Sequence, residues 1–222
     1  MRLMKAAELV VDYTLYPRNN VDRNHIKVLV DALAAGAELP PIIVDKKSKR
    51  VVDGVHRRGA NLRYHGDEAE VNVIEKNYRN DAEMFLDALR YNGAHGAKLD
   101  SCDRTHCVIL GERLGLTIAA ISGALNMPVE RLGELRTDRT ATNSSGLSVA
   151  LKRTVRHFAG RKLTKRQEAA NDSLSGMTQT FYANQLIHLI EAKMLDTSDA
   201  ALMERLQVLA ELLAGVVVVA SK

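Results

Sequence analysis

The stretch VVDGVHRRGA at 51–60 concentrates residue types that hold phosphate. A β-branched pair runs into Asp53 and Gly54, and Val55, His56, Arg57 and Arg58 open a segment of helical character. A strand that turns at glycine into a helix presents unpaired backbone N–H groups, and the start of a helix attracts negative charge. Gly54 gives the room for close backbone approach, the amides of residues 55–58 point at an anion, and Arg57 is placed to clamp it with two N–H groups. His56 can donate to phosphate or shuttle a proton, while Asp53 can hold magnesium or act as a base. In an enzyme, Asp53 and His56 would be the catalytic pair. The same order of residues also suits a plain strand–turn–helix corner with a solvated basic face.

A second pattern occupies TIAAISGALNMPVERLGEL at 117–135. Ile121 and Leu125 take the inward positions of a first helix, and small Ser122 suits a close helix crossing. Asn126 stands at a turn position that wants positive φ, which Asn tolerates well. Met127 plugs the turn, Pro128 starts the next helix, and Leu132 and Leu135 face back inward. This is the spacing of a helix-turn-helix, with DRTHCVILGERLG at 103–115 as its preceding helix. On the second helix Arg131, Arg136 and Arg139 are candidates for reading base edges and phosphates. Glu130 and Glu134 share that helix and would repel phosphate, which is the pattern of a protein-facing helix. Downstream, LKRTVRHFAGRKLTKR supplies Lys152, Arg153, Arg156, Arg161 and Lys162 without one acid. Neutralising four phosphates there would give an affinity whose salt slope is roughly −3 to −4.

These residues need elements to position them. DRNHIKVLVDALAAG at 22–36 has helical spacing ending on Gly36, PPIIVDKKSKRVVDG at 40–54 reads as a hairpin, and a helix from 55 ends on Gly66. ELVVDYTL and EVNVIEKNY read as strands, and Asn80 or Asp81 caps a helix over DAEMFLDALRYN. Beyond about residue 97 only helical segments are expected, SVALKRTVRHFAG among them, with RTDRTATNSSG as a linker. TQTFYANQLIHLIEAK and SDAALMERLQVLAELLAG carry apolar stripes that suggest an antiparallel hairpin, which either completes the helical domain or forms a dimer interface.

Composition bounds the rest. The chain has 222 residues, 46% hydrophobic and 26% charged, as in ordinary globular proteins. Aromatic content of 4% without Trp argues against an aromatic stacking platform for RNA. Net charge is only +4, yet residues 131–166 hold ten Lys+Arg against two Asp+Glu, followed by an acidic tail. Cys102 and Cys107 in SCDRTHC lack partners at zinc-ligand spacing and read as reduced thiols. The longest apolar run, LAELLAGVVVVA, is short for a membrane span, and the start MRLMKAAELVVDY has no apolar h-region, so a cytoplasmic location is expected.

Over about residues 8–136 the order of motifs resembles the ParB family: YPR at 16–18, a helix ending at Gly36, LPPIIVD, the box GVHRRGA at 54–60, and LRYNGAHGAKLDSCDR at 89–104. The resemblance implies an α+β ParB/sulfiredoxin-like domain at 1–97 and an all-α helix-turn-helix domain at 98–140, while charge and periodicity alone make 141–222 a basic then acidic helical region ending in a helical hairpin, whose part from 167 on matches no family pattern. It also implies a pocket for a nucleoside triphosphate, CTP or ATP, coupled to double-stranded DNA. Gly54 and Arg57 match the phosphate-binding box, and Asn92 matches the asparagine that contacts metal and phosphate in the family. Val55 stands where the family has glutamate, His56 where it has arginine, and Tyr91 where Asn92 has an acidic partner, so magnesium is left open. The variant box is closer to ParB-like transcription regulators than to partition proteins. It also resembles the Asp-Gly-His-His-Arg motif of stand-alone ParB-like kinases, which keeps a small-molecule phosphotransferase or NTPase as an alternative. A protein-binding adaptor with a degenerate helix-turn-helix is another. Sulfiredoxin chemistry is excluded, because Val55 replaces its cysteine.

Overall fold

The computed structural model describes residues 1–94, 98–174 and 176–220. It divides into two compact units, Met1–Gly176 and Met177–Lys222. The domain boundary expected at 97 and residues 95–97 of the family-like stretch lie outside the described residues.

Every residue of Ile42–Asp45 (β2) is buried, as a strand covered on both faces requires. Ile42 and Val44 point to one cluster with Met4, Leu9, Val71 and Val73, and Ile43 points to another with Leu15, Val52, Met84 and Ala88. The remaining strands are Arg2–Lys5 (β1), Val51–Asp53 (β3) and Glu70–Lys76 (β4). The sheet order is β1-β4-β2-β3, with β2 parallel to β4 and the other pairs antiparallel. The expected hairpin thus forms, its turn carrying Lys49 at φ 59°.

The first strand is displaced from its expected place at 8–15. Leu9 and Leu15 belong to clusters on opposite faces of the sheet. Six residues apart, they would share a face in a regular strand, so the segment does not run as one, and within it Val10 makes an isolated β-bridge to Arg50.

Helix α1 (Arg23–Ala34) is capped by Asp22, whose carboxylate accepts from the N–H groups of Asn24 and His25. It lies against α2 (Val55–His65), which ends on Gly66 at φ 76° as expected. Helix α3 (Asp81–Ala94) starts on Asn80, whose side chain accepts from Glu83 N–H at 2.9 Å. Its Met84 and Ala88 pack on the sheet, while Phe85 and Leu89 enter the core of the following helices.

Those helices are α4 (Ser101–Arg113), with a capping box between Asp100 and Asp103, α5 (Ile118–Leu125) and α6 (Val129–Asp138). The expected linker and the start of the expected helix after it fold instead as a β-hairpin, β5 (Thr140–Thr142) with β6 (Ser148–Ala150), turning at Gly146 with φ 85°. Thr and Val favour a short pleated pair, and its two faces are buried separately, Ala141 against Leu151 and Leu163 and Ala150 against Cys102 and Ile109. Residues 153–158 form a 3-10 segment rather than an α-helix. Helix α7 (Lys165–Ser173) follows, and its buried Asn171 accepts from Lys152 N–H at 2.9 Å and donates to Ala150 O at 3.0 Å.

The second unit contains α8 (Gln179–Glu191) and α9 (Ala200–Ala220). Along the stripes read from the sequence, Leu186, Leu202, Leu206 and Leu209 are half-buried, whereas Phe181, Ile187, Ile190 and Leu212 are exposed. Among the described residues, no helix is long and apolar enough to cross a membrane.

Candidate functional site

The turn from β3 to α2 is made by Gly54 at φ 104°, ψ 22°. A Cβ there would lie 2.9 Å from Arg57 Nη2, so the position needs both the torsion and the space of glycine. No side chain caps α2, which leaves its first N–H groups facing the mouth of a cavity of about 280 Å³. Asp53, Gly54, Val55, His56, Arg57 and Asn92 all line this cavity, so two stretches almost forty residues apart in sequence meet there. Arg58 is not part of the lining. Its guanidinium is half-buried elsewhere, with Nε unpaired.

Arg57 donates to Asp53 at 2.7 Å and to Pro41 O at 3.2 Å, which fixes the guanidinium across the cavity. Its Nε is buried without a partner, and so is the hydroxyl of Tyr16 on the same wall. Unpaired buried donors are costly. Burial holds the Tyr16 phenol well above its usual range, so it stays a hydrogen-bond donor. Asn92 donates to Ala88 O at 2.9 Å, which leaves its side-chain carbonyl free to accept.

His56 behaves differently from the sequence expectation. Its Nε2 accepts from Asp22 N–H at 3.1 Å, and burial, with His25 and Arg18 nearby, lowers its pKa to about 4. It is a neutral ring holding a loop, with Nδ1–H as its remaining donor. Its partner ring, His25, stands edge-on at 5.0 Å. The sole carboxylate of the lining, Asp53, is committed to Arg57, and no cluster of three His, Cys, Asp or Glu able to hold a metal occurs among the described residues. The donors therefore fit a phosphate group better than a magnesium site.

The wall opposite the box is the segment 16–22, and it is tied to α4. Arg18 pairs with Asp103 at 3.7 Å, Asn19 N–H donates to Asp103 at 3.0 Å, Cys107 donates to Pro17 O at 3.1 Å, and His106 meets Tyr16 O at 3.2 Å. Both cysteines are buried free thiols, Cys102 being pushed up to about 12 by burial. Tyr16, Arg18 and His25 were absent from the sequence-based site. Tyr16 and Arg18 do fall in the YPR stretch quoted above, but nothing local marks them as cavity walls.

Between α5 and α6, Asn126 adopts φ 51°, ψ 47°, the positive φ expected at that turn. Ile121, Leu125, Leu132 and Leu135 are buried together with Val108 and Leu110 of α4. The Ser122 hydroxyl donates to Met127 O at 2.5 Å and ties the turn. The close approaches are at Gly111, where a Cβ would meet Ile121 at 2.6 Å, and at Gly93, where it would meet Ala124 O at 2.7 Å.

The ten-residue helix α6 presents Arg131 paired with Glu134, and Arg136 held by Glu112 through Nε at 2.7 and 2.8 Å. Both are exposed. Arg156, Arg161 and Lys162 are exposed in the following segment, with Arg161 over the Phe158 ring. Arg139, Lys152 and Arg153 sit apart from them in a groove against the first domain.

No family model matches the chain. A "streptomycin biosynthesis operon possible regulatory protein" of Streptomyces griseus is 32% identical over 160 residues, 69% of this chain and 44% of that protein. The transcriptional regulator NovG of Streptomyces niveus is 38% identical over 88 residues, 39% of this chain and 26% of that protein. The chain thus spans less than half the length of these curated relatives. Among solved structures, the C-terminally truncated chromosome-partitioning protein ParB of Caulobacter crescentus is 16% identical. In its complex with the centromeric parS site it overlays with a TM-score of 0.45, over 61% of this chain and 70% of its own. In complex with CTP-gamma-S the TM-score is 0.37 over 60% and 75%. The order of motifs resembles the ParB family, and both curated proteins that the chain matches are named as regulators.

Proposed function

We propose that the chain is a DNA-binding regulator whose N-terminal pocket takes a nucleoside triphosphate as a switch. The observation that carries the reading is the helix-turn-helix itself, with Asn126 at positive φ between α5 and α6 and Arg131 and Arg136 displayed on α6. These arginines, with Arg156, Arg161 and Lys162, would contact double-stranded DNA. The name of the NovG relative, a transcriptional regulator, supports a role in transcription over partition.

The pocket would hold phosphates on the N–H groups at the start of α2 and on Arg57, with Asn92 accepting from the ligand. Asp53 is held in a salt bridge, which favours a clamp over a catalytic base and hence a switch over a turnover site. The segment 16–22 supports coupling, because it touches His56 on one side and α4 on the other. The exposed apolar residues of α8 and α9 support a homodimer through the C-terminal helices, which would present two reading heads to two half-sites.

The test is retention of fragmented genomic DNA by the purified chain at two salt concentrations, with and without CTP or ATP, followed by sequencing. Enrichment of particular sites that is lost in an Arg131→Ala, Arg136→Ala variant supports the reading. Absence of retention at low salt overturns it.

A further inference from the structure

A groove of about 670 Å³ in the first unit runs between residues 18–22, the start of α4, and the segment after β6. It is distinct from the nucleotide pocket, with which it shares Arg18. Its charges are unequally committed. Asp22 caps α1, Asp100 and Asp103 form the capping box of α4, and Asp103 also takes Arg18. Lys152 donates its ammonium to the carbonyls of Asp172 and Leu174 at the end of α7. The carboxylate of Asp172 is exposed at the rim.

Two arginines of the groove are not committed. Arg139 Nη1 is buried without a hydrogen-bond partner, and Arg153 forms no ion pair among the described residues. Burial opposes the Arg139 charge, and the nearby positive charges of Arg156 and Arg153 add to that opposition. Arg153 and Arg156 thus lie within electrostatic reach of Arg139, with the Asp100 carboxylate, which caps α4, as a weaker counter-charge. A buried guanidinium N–H left without an acceptor is costly, and an anion from outside the chain would satisfy it.

We propose that this groove binds a phosphate or sulfate group on Arg139 and Arg153, as an anion site separate from the Gly54–Arg57 pocket. Arg139 supplies the buried N–H and Arg153 the exposed one. A phosphate monoester of a small molecule and a phosphate of the DNA backbone offer the same oxygens, and salt dependence separates them.

The experiment uses the full chain, titrated with inorganic phosphate and with sulfate by calorimetry, in wild type and in Arg57→Gln, Arg139→Gln and Arg153→Gln variants. Arg153 is exposed, so its variant keeps the fold even where Arg139→Gln weakens it. Saturable phosphate binding that survives Arg57→Gln and drops at least tenfold in Arg153→Gln establishes a small-molecule site. If phosphate does not saturate, but Arg153→Gln weakens duplex DNA binding and reduces the magnitude of its salt slope by about one, the anion is a DNA phosphate. Phosphate binding that vanishes with Arg57→Gln alone, or phosphate and DNA binding both unchanged in Arg153→Gln, overturns the assignment.

Discussion

Replacing Gly54 with alanine asks two things of one methyl group. At φ 104° an L-residue pays about 1–2 kcal/mol in backbone strain. The new Cβ would also stand 2.9 Å from Nη2, 3.1 Å from Nε and 3.2 Å from Cζ of Arg57. The guanidinium must then leave its seat between Asp53 and Pro41 O, losing a partly exposed ion pair worth up to about 1 kcal/mol. The sum, about 1–3 kcal/mol, lowers the melting temperature by roughly 2–12 °C for a chain of this size. With no Trp present, the near-ultraviolet tyrosine signal is the suitable readout, since five of the six tyrosines lie in the first unit. Arg57→Ala separates the two effects. In its background Gly54→Ala costs only the torsional part, and the difference measures the clash. A melting temperature for Gly54→Ala within 1 °C of wild type, or an identical cost with and without Arg57, would refute the account.

Other positions make shorter predictions. Gly133→Ala on α6 has open space around it and no positive φ, so it should stabilise by about 0.5–1 kcal/mol in urea denaturation, the opposite sign to Gly54. Gly93→Ala, driven 2.7 Å from Ala124 O, should destabilise by about 1–3 kcal/mol by forcing α3 off α5, measurable in the same assay. Asn171→Ala strands Lys152 N–H and Ala150 O and should cost about 1–3 kcal/mol, with loss of amide-exchange protection at Lys152. His56 is held neutral in the fold, with its pKa lowered from 6.5 to about 4, so the unfolded chain binds the proton first. Stability therefore falls as pH drops from about 6.5 toward 4. Unfolding titrations of His56→Gln should show a shallower slope in that window, with the lowered His106 retaining part of it.

How much was legible in the sequence depended on range. The α2 start and end, the Asn126 turn and the β2–β3 hairpin are set by residues within a few positions of one another, and the pattern reveals them. The β5–β6 hairpin was missed because Thr140-Ala-Thr and Ser148-Val-Ala are short and flank a polar stretch, and the strand signal comes from burial against Leu151 and Leu163. In the pocket, the box and Asn92 were found from motif order, yet Tyr16, Arg18 and His25 act there only because residues 16–22 are tied back onto α4. His56 is a related case: the partner that makes it an acceptor is a backbone N–H thirty-four residues away. The basic residues were correctly counted but could not be sorted, since only the packing separates Arg139 and Arg153 in their groove from Arg161 and Lys162 on the surface.

Helix α3 gives Met84 and Ala88 to the sheet and Phe85 and Leu89 to the helical core. A lineage of such proteins cannot exchange one half for a foreign one at the end of α3 without exposing one side of this helix to a partner it has never met. Viable recombinants should instead inherit α3 together with the helices it packs on, or carry compensating changes at Phe85 and Leu89. The heritable module is therefore larger than either motif, and its seam runs through the middle of a helix.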